Sequence, residues 1–198
     1  ALLVAAPWLV RNALMFGRPT GMLTLTGYSL WIGNNPSATG GALNAQGEGL
    51  TDPILDASLS GLSELEQQDA YRQVALAYMI DHPLQTAWRY LVKLRSFFFW
   101  SAQTGAWYPQ SFLLPYKLFY LMLLGCALVG AGRLRHVGRG SSALLLLLFV
   151  ASAGIIQSVF FVEGRHRWEV EWGFVILAGC AFGLNAGVKH EKTHRVSI

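Results

Sequence analysis

Polar positions thin out sharply toward the C-terminal half of the chain. FLLPYKLFYLMLLGCALVGAG (112–132), ALLLLLFVASAGIIQSVFFV (143–162) and WGFVILAGCAFGLNAGV (172–188) are apolar runs of 21, 20 and 17 residues. A helix needs roughly 17–25 residues to cross about 30 Å of hydrocarbon, so each run is long enough to span a bilayer. The first ten residues, ALLVAAPWLV, are also apolar but too short to cross alone. With no initiator Met, basic flank or small-residue cleavage site, they read as the end of a transmembrane helix whose earlier turns precede residue 1, not as a signal peptide.

Residues 11–111 alternate between patterns. MLTLTGYSLWIG (22–33) mixes Thr, Tyr, Leu, Trp and Ile as an extended run would, and GNNPSATGG (33–41) is turn chemistry. Residues 40–61 read as loop. At SELE, Ser63 with Glu66 three positions later is a capping box, and Leu65, Tyr71, Val74, Ala75, Tyr78 and Met79 follow at helical spacing. His82-Pro83 ends that helix and opens another, PLQTAWRYLVKLRSFFFW, whose basic and aromatic faces suit a membrane surface or a docked bundle helix. SFFFWSAQTGAWYP (96–109) is too interrupted to span; Trp100, Trp107 and Tyr108 read as an interfacial cluster.

Composition agrees with this pattern: 53% of the 198 residues are hydrophobic and 13% charged, against about 25% charged in soluble domains. The expected class is therefore all-α integral membrane, a transmembrane helix bundle with a mostly helical outer-face segment of about 100 residues. Charge assigns sides by the excess of Lys and Arg in cytoplasmic loops. RLRHVGRGSS (133–142) holds Arg133, Arg135 and Arg139 without an acid, and the tail 189–198 holds Lys189, Lys192 and Arg195 against Glu191. EGRHRWEVE (163–171) has two Arg against three Glu, and 11–111 has six basic residues against seven acids. The expected map is the end of a span at 1–10, an outer segment at 11–111, three spans within 112–188 with 163–171 outside, and a cytoplasmic tail at 189–198. Cys126 and Cys180 fall inside spans and read as packing residues. No basic patch with interleaved aromatics calls for nucleic acid.

The order of residues in the outer segment resembles a known family. Pro7, Trp8, Arg11, Asn12, Phe16, Gly17, Gly27, Leu30, Trp31, Gly33, Asn34, Asn35, Pro36, Ala38, Thr39 and Gly40, followed by His82-Pro83, Lys93 and Trp100, look like the C-terminal half of bacterial family 39 polytopic glycosyltransferases, the protein mannosyltransferase-like relatives with the C-type membrane fold. The resemblance implies an inner-membrane enzyme that passes a sugar from a polyprenyl-phosphate-linked donor to a lipid, glycan or protein acceptor on the outer face, without a cofactor. It also places the catalytic acid in a first outer loop preceding residue 1. No catalytic residue is assigned here, and the 198-residue piece is expected to be inactive alone. Arg165-His166-Arg167-Trp168 stands where the family tends to have an Arg-aromatic-Arg stretch with proline; Glu169 and Val170 depart from that pattern.

Arg binds phosphate bidentately through charge-assisted bonds, and alternate positions of an extended loop face one side. Arg165 and Arg167 are thus the leading candidates for the donor phosphate, against a ladder of ion pairs with Glu163, Glu169 and Glu171. Arg11 and Lys93 are further phosphate candidates, against interfacial anchoring and snorkelling. Asn34, Asn35, Asn12 and His166 are candidates for sugar contact or for framing the site, against plain turn geometry. Glu48, Asp52 and Asp56 lack the spacing of a metal loop and read as solvated, and no metal site is expected. The rival class is a non-catalytic scaffold or flippase-like protein whose outer segment binds glycans or a partner.

Overall fold

The computed structural model describes residues 2–20, 25–101, 103 and 109–194. Every regular element among them is helical: α1 (Leu2–Phe16), α2 (Thr26–Gly33), α3 (Pro53–Leu59), α4 (Glu64–Asp81), α5 (Pro83–Phe98), α6 (Gln110–His136), α7 (Gly140–Gln157) and α8 (Gly164–His194). The expected all-α class is therefore what the described residues show. The chain divides into two units, one of residues 1–103 with 157–163, the other of residues 104–156 with 164–198.

In the first unit α2 packs on α4. Leu30, Trp31, Ile32, Leu50, Leu59, Tyr71 and Ala75 form the core. Tyr28 stacks on Trp31 at 5.9 Å between centroids and meets Tyr71 edge-on at 5.1 Å. Such pairs add about 0.5–1.5 kcal/mol each beyond the area they bury. The approach of α2 depends on Gly27, where a Cβ would stand 1.9 Å from the Gln68 carbonyl oxygen. The capping box forms as expected, with the Ser63 N–H donating to Glu66 Oε2 at 2.9 Å and the Ser63 hydroxyl at 2.6 Å. Pro83 occupies the first turn of α5.

In the second unit α6 and α8 pack at backbone distance. A Cβ on Gly130 would lie 1.7 Å from the Leu177 carbonyl oxygen. Small residues permit this approach, as is common between helices in lipid. Tyr120 meets Phe174 edge-on at 6.5 Å, and Val150 of α7 lies 3.0 Å from where a Cβ on Gly173 would be. Ser111–His136 and Gly140–Gln157 are long and apolar enough to cross a membrane, and only 11% and 17% of their most apolar windows are buried. A core helix of a soluble protein hides its apolar surface; these leave Leu118, Met122, Leu128, Leu145 and Ile156 exposed.

Several boundaries differ from expectation. Helix α1 continues through Phe16 instead of ending near residue 10. The stretch expected to be extended is helical from Thr26, because Tyr28 and Trp31, three apart, both reach Tyr71 from one helix face; residues 21–24 lie outside the described residues. The 40–61 loop contains α3, whose first amides bond Asp52 Oδ1 at 3.1 Å, so Asp52 is an N-cap. Asp56 accepts from the Tyr71 hydroxyl at 2.6 Å. Helix α7 stops at Gln157, and 163–171 is not a loop: α8 begins at Gly164 and runs through it. Of the three expected spans, two thus meet the length and apolarity of a crossing helix among the described residues. Cys126 and Cys180 are free and half-buried. Trp107 and Tyr108 lie outside the described residues.

Candidate functional site

The asparagine passage is densely hydrogen-bonded. A helix end leaves carbonyls without partners, and here two side chains supply them. Asn34 Nδ2 donates to the carbonyls of Leu30 and Val159, both at 2.9 Å, and Asn35 Nδ2 donates to those of Trp31 at 2.8 Å and Ile32 at 3.2 Å. Asn35 Oδ1 accepts from the Ser37 amide at 2.8 Å. Both primary amides thus spend their two N–H groups on backbone.

Two cations of α5 complete the knot. Arg89 and Lys93 lie four residues apart, on one helix face. Arg89 donates to the carbonyls of Asn35 and Pro36 and to the Tyr78 hydroxyl, with its guanidinium 5.4 Å from the Tyr78 ring centroid. Lys93 Nζ donates to the Gly33 carbonyl at 3.3 Å, Asn34 Oδ1 at 3.1 Å and the Val159 carbonyl at 3.2 Å. Cations suit this place because α2 turns its negative C-terminal end toward them. Lys93 is only 1% exposed, and its partners among the described residues are all neutral oxygens. Burial, with help from the nearby Arg89 charge, pulls its pKa down to about 8. Gly40 makes room for the lysine stem: its φ is +99°, and a Cβ there would meet Lys93 Cγ at 3.2 Å. The Val162 amide donates to the Gly40 carbonyl at 2.9 Å, tying segment 157–163 to the same loop.

On α1, Arg11 is exposed, 4.9 Å from the Trp8 ring centroid, and donates to Asn12 Oδ1 at 3.3 Å; Asn12 is buried.

The second unit holds the other candidates on the first turn of α8. Arg165 and Arg167 sit in a helix and not in an extended loop, so they project about 200° apart. They do not share a face: Arg165 is exposed, whereas Arg167 is 1% exposed. His166 is half-buried. Arg167 Nε donates to Glu171 Oε1 at 2.7 Å, its Nη2 reaches the Tyr116 hydroxyl, and its guanidinium lies 3.8 Å from the Tyr120 ring centroid. A buried cation is tolerable when it is paired and its donors are satisfied, and here a carboxylate, a hydroxyl and a ring face serve Arg167.

The structure thus gathers Asn34, Asn35 and Lys93 in one knot of the first unit. Arg11 and Asn12 adjoin each other on α1, and Arg165, His166 and Arg167 belong to the second unit. Sequence reasoning missed Arg89 as a member of the knot, though its spacing from Lys93 was a usable signal. It missed Tyr116 and Tyr120 as well; they too lie four apart, but only the fold shows that they meet Arg167. No protein-family model, curated protein or solved structure matches the chain.

Proposed function

We propose that the chain is part of a membrane glycosyltransferase that passes a sugar from a polyprenyl-phosphate-linked donor to a lipid, glycan or protein acceptor on the outer face of a bacterial inner membrane. In this reading α8 is the third span, the knot of α2 and α5 faces outward, and the 133–142 turn is cytoplasmic. The reading rests on the family resemblance of the passage from Gly33 to Gly40. The observation that carries it is that this passage holds two cations, Arg89 and Lys93, whose described partners include no carboxylate. Such uncompensated positive charge draws anions toward that face. Of the four phosphate candidates, Arg165 and Arg11 are exposed and able to touch the donor phosphate, whereas Lys93 and Arg167 hold the surrounding structure.

A non-catalytic binding segment is the second reading. It is favoured by the full internal use of the Asn34 and Asn35 amide donors, which leaves them none for a sugar hydroxyl.

The test is sugar transfer in membranes containing the protein at its natural length, supplied with a radiolabelled polyprenyl-phosphate sugar. Label should reach an acceptor, and Arg165→Ala should slow transfer tenfold or more at an unchanged level of folded protein. Absence of transfer by the unaltered protein, or an unchanged rate in Arg165→Ala with Arg11→Ala, overturns the proposal.

A further inference from the structure

Alongside the contact between α6 and α8 lies an open groove of about 470 Å³, lined by Met122, Gly125, Cys126, Val129, Arg133, Ala181 and Phe182. Its volume is within the roughly 300–1,000 Å³ of ligand sites. From Met122 to Arg133 the groove follows twelve residues of α6, about 16 Å over the steps between them at about 1.5 Å each, or half the thickness of a hydrocarbon core. One end is apolar. The other is Arg133, which among the described residues spends one of its donors on the Ala181 carbonyl, while a guanidinium has about five. Arg135 and Arg139 are exposed beyond it, and neither has a carboxylate partner among the described residues.

We infer that this groove holds an acyl chain of an anionic phospholipid, in the leaflet that meets the 133–142 turn, with the lipid phosphate on Arg133 and the charges of Arg135 and Arg139 beside it. Three features select this occupant. The length matches one leaflet, the lining matches a hydrocarbon chain, and the end cluster has three Arg and no acid. Basic pockets between spanning helices recognise such headgroups by the same chemistry. Gly125 makes the space: a Cβ there would meet nothing within 4 Å. The inference rests on α6 and α8 lying in a membrane and is independent of sugar transfer.

The test is native mass spectrometry of the protein at its natural length, in mild detergent, offered phosphatidylglycerol, phosphatidylcholine or polyprenyl phosphate. One phosphatidylglycerol per chain should be retained, about tenfold in preference to phosphatidylcholine. Gly125→Phe, which fills the groove without touching the helix contact, should abolish retention of both phospholipids. Arg133→Gln should remove the preference and leave the residual binding. Equal retention of the two phospholipids, unchanged retention in Gly125→Phe, or a preference for polyprenyl phosphate overturns the inference. A protein that fails to enter the membrane fraction overturns the membrane reading itself, which separates the two failures.

Discussion

Lys93 and Arg167 are equally buried, each 1% exposed, yet the two units house them by opposite means. Lys93 is held by three neutral oxygens, and the charge around it is not cancelled by any described carboxylate. Arg167 is held by Glu171 and two tyrosines, so its charge is cancelled where it lies. The difference follows from the surroundings. The first unit buries a loop whose backbone carbonyls need donors, and a cation is the donor that serves several at once. The second unit has apolar helices with their side chains facing outward, and unbalanced charge there carries a desolvation cost of several kcal/mol.

The comparison breaks most severely at the backbone contact of the second unit. Gly130→Leu drives a side chain into the Leu177 carbonyl and should cost about 3 kcal/mol or more, read as a loss of folded protein or of unfolding temperature in detergent. Gly125→Leu, on the open side of the same helix, should leave that temperature nearly unchanged. Next in size is Glu171→Gln, which leaves Arg167 buried without its counter-charge. Removing one member of a buried pair costs about 3–5 kcal/mol; because Glu171 is partly exposed, the expected loss in denaturant titration is nearer the lower figure.

Lys93→Met should cost about 2 kcal/mol, since it strands the oxygens that the ammonium now satisfies. It also sharpens the contrast through pH. The folded-state pKa of Lys93, about 8, lies below its ordinary 10.5. Between those values the unfolded chain binds the proton and the folded chain does not, so stability rises with pH across that interval. Below about 8 the burial cost is fully present. The rise should vanish in Lys93→Met, while the unaltered protein keeps it. The smallest effect belongs to the exposed pair Arg72–Asp69, 2.9 Å apart; Arg72→Ala should change stability by less than about 1 kcal/mol.

The parts of this fold legible in the sequence are those fixed by local chemistry. Ser63 and Glu66 announced the start of α4, His82-Pro83 its end, and the leucine-rich runs announced α6 and α7. What was not legible depended on distant partners. Thr, Tyr, Trp and Ile favour strands, yet α2 forms because Tyr71 and Gln68 of α4 receive one of its faces and two asparagines cap its far end. The early start of α8 was hidden for a related reason. Its first two turns carry the charges expected of a loop, but Arg167 and Glu171 are four apart and pair along a helix. Of the candidate residues, the identities were readable and the burial was not. Nothing in the sequence separates exposed Arg165 from enclosed Arg167.

Spin labels along α6 test most directly whether the outward apolar surface of the second unit faces lipid. Labels placed one at a time at Leu118, Met122 and Leu128, all exposed in the fold, would be read in reconstituted bilayers with oxygen and with a water-soluble nickel chelate as relaxing agents. A lipid-facing α6 gives strong relaxation by oxygen and little by the chelate at all three positions. Strong relaxation by the chelate at all three would place this helix in water and contradict a lipid-facing surface.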